Sequence, residues 1–182
     1  MPSESERAMQ IIEGGLDDSR VTGLIDVHLT RAQGETARGS AHALDHSGLR
    51  AREVSFWSAW EGETVVAVGA LRRLSADHGE LKSMHTAEAA RGRGVGSAML
   101  RHIMAAARAR GMSRLSLETG SWAYFAPARA LYARHGFVEC GPFGQYREDP
   151  NSVFMTLELG GEEEPAGGVD PDSGTRDHPR AF

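Results

Sequence analysis

Arg91-Gly92-Arg93-Gly94-Val95-Gly96 stands between a run that alternates like a strand and a run whose apolar residues recur like a helix. Glycines at such a turn let backbone N–H groups approach a ligand closely, and the N-terminus of the following helix adds a partial positive charge. A pyrophosphate suits that combination. A phosphate-binding loop of the Walker kind needs Lys-Ser/Thr after its last glycine, but Ser97-Ala98 follows here. The dinucleotide pattern Gly-x-Gly-x-x-Gly needs a glycine at position 97 and meets Ser97. An Arg-Gly RNA-binding repeat in one short copy before a helix is a poor reading. A turn that binds nothing is the plain alternative.

Downstream of the turn, Val95, Met99, Leu100, Ile103, Met104 and Ala107 form one helical stripe, closed by Arg108, Arg110 and Gly111 as a helix C-terminus prefers. Upstream, Glu80 to Thr86 reads as a strand, yet its positions Leu81, Met84 and Thr86 are spaced three and then two apart. A period-2 strand loses phase there, which predicts a β-bulge near Ser83 that re-aims backbone groups. Before it, Val54 to Trp60 puts Val54, Phe56 and Trp60 on one face and Trp57 on the other, and Glu61-Gly62-Glu63 turns into the β-branched run Thr64 to Leu71.

Farther out, Gln10 to Glu13 reads as a strand, and Gly14-Gly15-Leu16-Asp17-Asp18 breaks it and supplies an N-cap for a helix from about Asp18 to Ala32 along Val21, Leu24, Ile25 and Leu29. Gln33 to Arg52 reads as a loop with a helical turn. Ser113 to Glu118 is a strand and Ala126 to Arg134 a short helix. Two closing strands, Phe137–Cys140 and Ser152–Leu159, flank an irregular loop over 141–151. The order predicts an α/β (α+β mixed) domain over 1–159, with helices on both faces of a mixed sheet.

The 182-residue chain is long enough for one well-filled core. Its formal charge of −5 is lopsided: residues 160–182 hold six carboxylates against two arginines, leaving the rest nearly neutral. A neutral body argues against nucleic-acid binding, and the Gly/Pro/Glu/Asp-rich tail reads as acidic and disordered. No run approaches the roughly 20 apolar residues of a membrane span, and Met1 to Glu6 lacks the layout of a secretory signal. A cytoplasmic location is expected. One cysteine, Cys140, permits neither an internal disulfide nor a CxxC metal site, and no metal is expected.

Arg91 to Gly96 resembles the Arg/Gln-x-x-Gly-x-Gly/Ala loop of the GNAT superfamily of acetyl-CoA-dependent N-acetyltransferases. Ala130-Leu131-Tyr132-Ala133-Arg134-His135-Gly136-Phe137 resembles its Ala-x-x-Leu-Tyr-x-x-x-Gly-Phe segment, shortened at the start. Glu80 to Thr86 resembles the bulged fourth strand, so the likeness runs from about Ile11 to Leu159. Ser116 to Gly120 and Gly141 to Tyr146 resemble a group of small bacterial members whose substrates are mostly unassigned. Two departures stand out: Phe125 occupies a position where the family often has Asn, and Thr86-Ala87-Glu88 replaces Val-x-Pro at the strand end.

The resemblance implies a mostly antiparallel sheet with a V-shaped gap between the fourth and fifth strands. It implies that backbone groups of Arg91, Gly92, Arg93, Gly94, Val95, Gly96 and Ser97 bind the CoA pyrophosphate, and that Met84 and Thr86 hold the pantetheine arm. A phosphate contact is favoured slightly for Arg93 over Arg91. Tyr132 is the candidate acid for the leaving thiolate. Glu80 is the first candidate base, acting through water, with His85 its rival. A backbone N–H at Met84 would polarise the thioester. Trp122, Phe143 and Tyr146 are candidates for the acceptor pocket. The implied reaction is direct transfer from acetyl-CoA to an amine of a small molecule, or secondarily of a peptide. The alternatives are a noncatalytic acyl-CoA sensor and a dinucleotide-binding protein; a homodimer is left open.

Overall fold

The computed structural model describes residues 8–36 and 39–160. Of the tail expected over 160–182, all but Gly160 lies outside the described residues. The elements run β1 (Met9–Glu13), α1 (Ser19–Gly34), α2 (His46–Leu49), β2 (Val54–Glu61), β3 (Thr64–Arg73), β4 (His78–Thr86), α3 (Val95–Ala109), β5 (Arg114–Gly120), α4 (Ala126–Arg134), β6 (Val138–Cys140) and β7 (Ser152–Glu158). Among the described residues they build one seven-stranded sheet in the order β1-β2-β3-β4-β5-β7-β6. Every neighbouring pair is antiparallel except β4 and β5. This is the mixed, mostly antiparallel α/β architecture expected.

Strand alternation decides which helix covers which face. Phe56 on β2 packs with Val21 and Ile25 of α1 and Leu49 of α2, whereas its neighbour Trp57 packs with Met99, Leu100 and Ile103 of α3. All six stripe residues of α3 are buried, each contributing about 1.5–3 kcal/mol for a full-sized apolar side chain. Asp18 caps α1 by accepting the Arg20 N–H at 2.9 Å. Gly94 is the N-cap of α3 at φ 79°, a left-handed geometry that disfavours residues with a Cβ.

Two irregularities open the sheet where a site can form. On β3, Val68 pairs with His85 and Ala70 with Lys82, so Gly69 alone opposes both Ser83 and Met84. This is the bulge expected near Ser83, whose φ of 54° is the one positive value outside glycine among the described residues. A Cβ at Gly69 would come within 2.8 Å of Ile103 Cδ1 and 2.9 Å of Met84 Sδ, so a larger residue there would push those side chains aside. On the other side, the β4–β5 ladder ends with Glu80 opposite Ser116. Beyond that pair the two strands run on to Thr86 and Gly120 without pairing each other.

Candidate active site

The splayed strands bound a cleft of about 410 Å³. Residues 81–86 of β4 form one wall and 117–120 of β5 the other, with the glycine turn and Tyr132 of α4 on one side and His28 of α1 with Ser40 and His42 on the other. Ser83 and Met84 have no ladder partner on β3, so the bulge leaves backbone groups available to a ligand. The Ser83 hydroxyl is also buried without a hydrogen-bond partner.

The turn presents an anion nest. Gly92 and Gly94 adopt φ of 74° and 79°, with open space where a Cβ would stand, so conformation and not crowding requires glycine. The first helical hydrogen bond is donated by Ala98 N–H to the Gly94 carbonyl at 3.0 Å. The N–H groups of Val95, Gly96 and Ser97 precede it and have no partner inside the helix. Arg91, Gly92, Gly94, Gly96 and Ser97 line the cleft; Arg93 and Val95 do not. Val95 is buried in the core. Arg93 donates to both carboxylate oxygens of Glu61 at 3.0 Å, which ties the turn to the β2–β3 hairpin. Arg91, by contrast, lines the cleft, with its Nε 3.4 Å from the Thr86 carbonyl.

Met84, Thr86, His85 and Tyr132 all line the cleft, but Glu80 does not. The Glu80 carboxylate is 1% exposed and accepts a hydrogen bond from the Tyr146 hydroxyl. Lys82 Nζ lies 3.2 Å from Glu80 and donates to the Tyr146 hydroxyl at 2.9 Å and the His42 carbonyl at 3.0 Å. Glu80 thus faces a second pocket of about 840 Å³, shared with Phe143 and Tyr146, and Lys82 stands on the wall between the two. Trp122 borders neither pocket; it is 45% exposed and donates its indole N–H to Asn151 at 2.9 Å, pinning the 141–151 loop.

Electrostatics separates the remaining groups. Burial pulls the His28 and His85 imidazoles down to about 4, aided at His28 by Lys82 and at His85 by His28, Arg91 and Arg31. Both rings are neutral at pH 7. Burial raises Glu118 above the ordinary carboxylate range, while Ser152, His42 and Lys82 oppose the rise. Ser152 acts there although its hydroxyl makes no hydrogen bond of good geometry. Burial also pushes Tyr132 upward, so its hydroxyl stays protonated.

The sequence reading missed Glu118, His28 and Lys82. Glu118 alternates with Leu115 and Leu117, which places it with Ser116 on the other face of β5, and His28 follows Val21 and Ile25 at helical spacing. Those signals name a face. They do not reveal that the face borders a gap.

The cleft is thus a glycine-rich turn at the mouth of a split parallel strand pair. Residues 24–137 match the model of the Acetyltransferase (GNAT) family, and the chain belongs to that family. It is 47% identical over 151 residues to the uncharacterized N-acetyltransferase YsnE of Bacillus subtilis, covering 83% of this chain and 100% of that one. It is 48% identical over 139 residues to the uncharacterized N-acetyltransferase YedL of Escherichia coli, covering 76% and 87%. The crystal structure of a GNAT-family acetyltransferase from Staphylococcus aureus superposes with a TM-score of 0.67 at 20% identity over 84% of this chain and all of that one, a likeness of fold. Among the described residues, no helix is long and apolar enough to cross a membrane, and no group of three or more His, Cys, Asp or Glu could hold a metal ion.

Proposed function

We propose that the protein acts in the cytoplasm and transfers an acetyl group from acetyl-CoA to the amine of a small molecule, by direct attack of the amine on the thioester. The observation that carries this reading is the end of the β4–β5 ladder at Glu80–Ser116, with the glycine nest at the open end. The pyrophosphate meets the free N–H groups of Val95, Gly96 and Ser97, and Arg91 adds charge. The pantetheine arm runs along residues 84–86, whose bulge offers a backbone N–H at Met84 to the thioester oxygen.

An ammonium must lose a proton before its lone pair can attack. Glu118 suits that task better than the other two candidates. Its charge attracts the ammonium, and burial favours the protonated form it takes on afterwards. His85 sits among cations that disfavour both an incoming ammonium and an imidazolium. Glu80 is held behind Lys82 by Tyr146. Tyr132, protonated and facing the cleft, donates to the departing sulfur.

Calorimetry with acetyl-CoA and CoA, followed by CoA release over an amine panel with mass spectrometry of the products, tests the reading. Binding with an acetylated product supports it. Binding with no product from any amine would favour the noncatalytic sensor, and a preference for NAD over CoA would remove both.

A further inference from the structure

We propose that the acceptor is a short amino acid whose free carboxylate is held in the corner between His28 of α1 and His85 of β4. The inference rests on the acetyl-transfer reading above and names its substrate class. The two rings lie on different elements, 5.2 Å apart between centroids and inclined at 61°, and both line the cleft. Among the described residues, neither imidazole hydrogen-bonds to the protein. Packing alone does not call for two such rings, since apolar side chains would fill the corner without bringing unpaired ring nitrogens to a cavity wall.

Cations act on both rings, Lys82 among them as the ion-pair partner of Glu80. Lys82 acts on His28, and Arg31 and Arg91 act on His85; no carboxylate acts on either ring. Arg31 follows His28 by three residues on α1, one turn away. Glu118 is the one carboxylate among the described residues lining the cleft, and it stands on β5, the opposite wall. Arg91 and Arg31 thus lie toward His85 and Glu118 is the cleft's single anion among the described residues, with Lys82 acting on both His28 and Glu118. A zwitterion matches that field in one orientation: its ammonium at Glu118, its carboxylate at the histidines.

The stereochemistry of donation agrees. Each neutral imidazole offers one N–H, so two rings supply one donor for each carboxylate oxygen. Lys82 contributes only its field, because Glu80, Tyr146 and the His42 carbonyl already occupy its ammonium. A peptide N-terminus carries an amide where a free amino acid carries its carboxylate, so it lacks the charge this corner attracts.

Matched acceptors test the assignment: L-alanine against ethylamine, L-methionine against 3-(methylthio)propylamine, L-phenylalanine against phenethylamine, and the amide of each acid. We expect at least one acid to exceed both of its partners in kcat/KM by roughly 10–100-fold, the value of one or two hydrogen bonds to a charged group. His28→Phe keeps a ring and removes the donor, and should bring that ratio near unity; His28→Gln restores a donor and should recover part of it. Equal use of amines or amides would overturn the proposal, as would a preference that survives in both His28→Phe and His85→Phe. If no acceptor is acetylated, nitrogen-15 titration of the imidazoles with propionate decides. Saturable shifts of both rings, absent with ethylamine, support the corner, and unmoved rings overturn it. Calorimetry with CoA on the same samples reports separately on the donor, so loss of the transferase reading is distinguishable from loss of the carboxylate site.

Discussion

The Tyr146 hydroxyl donates a 2.5 Å hydrogen bond to the Glu80 carboxylate, and Lys82 lies 3.2 Å from the same oxygen. Glu80 and Lys82 are 1% and 8% exposed, so neither charge can turn to solvent if the other is lost. Removing one member of a buried pair typically costs about 3–5 kcal/mol. Glu80→Ala should therefore lower the urea midpoint sharply, and Tyr146→Phe by less, about 1–3 kcal/mol. Replacing both charges, as in Glu80→Leu/Lys82→Met, should recover most of the loss. Glu80→Gln should retain turnover per folded molecule; a fall of about a hundredfold or more would restore Glu80 as the base.

Gly94→Val tests the turn. Its Cβ would meet nothing within 4 Å, so crowding at the Cβ does not account for a defect. The strain lies in the backbone, because a β-branched residue at φ 79° is held in a conformation costing about 1–3 kcal/mol. Relaxing that strain turns the N–H groups at positions 95–97 out of register. CoA affinity measured by calorimetry should fall at least about tenfold, while the α3 stripe keeps the fold assembled. Unchanged affinity would remove the turn from the site.

The local features were legible because they are written in adjacent residues. The α3 stripe, the cap at Asp18, the two-faced alternation around Trp57 and the phase slip that marks the bulge at Ser83 all appear where the sequence puts them. What escaped depends on contacts between distant segments. Arg93 meets Glu61 thirty-two positions away, and Tyr146 reaches Glu80 across sixty-six. Alternation places Glu80 and Lys82 on one face of β4, but depth and partner come from the 141–151 loop folding over that face. Glu118 matters only because β4 and β5 part company at Ser116, two residues before it. The insertion of β7 between β5 and β6 is likewise a long-range pairing that periodicity cannot express.

Glu118→Gln separates catalysis from stability. As a general base the carboxylate is worth roughly 10²–10⁴ in rate, so turnover should drop by that range with acetyl-CoA affinity little changed. Its pKa is raised in the folded state, so between the ordinary value of 4.5 and the raised one the native protein holds more protons than the unfolded chain. Stability from this group is therefore lost as pH rises through that window. The Gln variant should melt higher than wild type at pH 7, and the difference should close below about pH 4. A variant that melts lower at pH 7 would contradict this environment.

The histidine pair gives the opposite slope. His28 and His85 titrate near 4 in the folded protein against 6.5 when unfolded, so their contribution is complete above pH 6.5 and is lost as pH falls toward 4. For each ring the full span is worth at most about 3 kcal/mol, reduced by whatever solvent reaches it in the cleft. Wild type should lose stability between pH 6.5 and 4 more steeply than His28→Gln/His85→Gln, as read from urea midpoints across that range. Parallel curves would mean that the imidazoles are solvated in the native state.

Tyr132→Phe tests the proton donor at the other end of the reaction. The ring is 7% exposed, packs 5.8 Å from Phe137 and lines the cleft, while its hydroxyl makes no hydrogen bond among the described residues. The hydroxyl bonds to no protein group, so removing it strands no partner and the melting temperature should change little. Burial keeps the phenol protonated throughout the working pH range, so the proton is present whenever the thiolate leaves. A free thiol titrates near ~8.5, and its thiolate is a modest leaving group at neutral pH that gains from a positioned donor. Turnover should fall roughly 10²–10⁴-fold with acetyl-CoA affinity near wild type. The measurement is single-turnover acetyl transfer, which isolates chemistry from product release. A variant that keeps more than about a third of the wild-type rate in that assay makes Tyr132 a packing residue and leaves protonation of the sulfur to water.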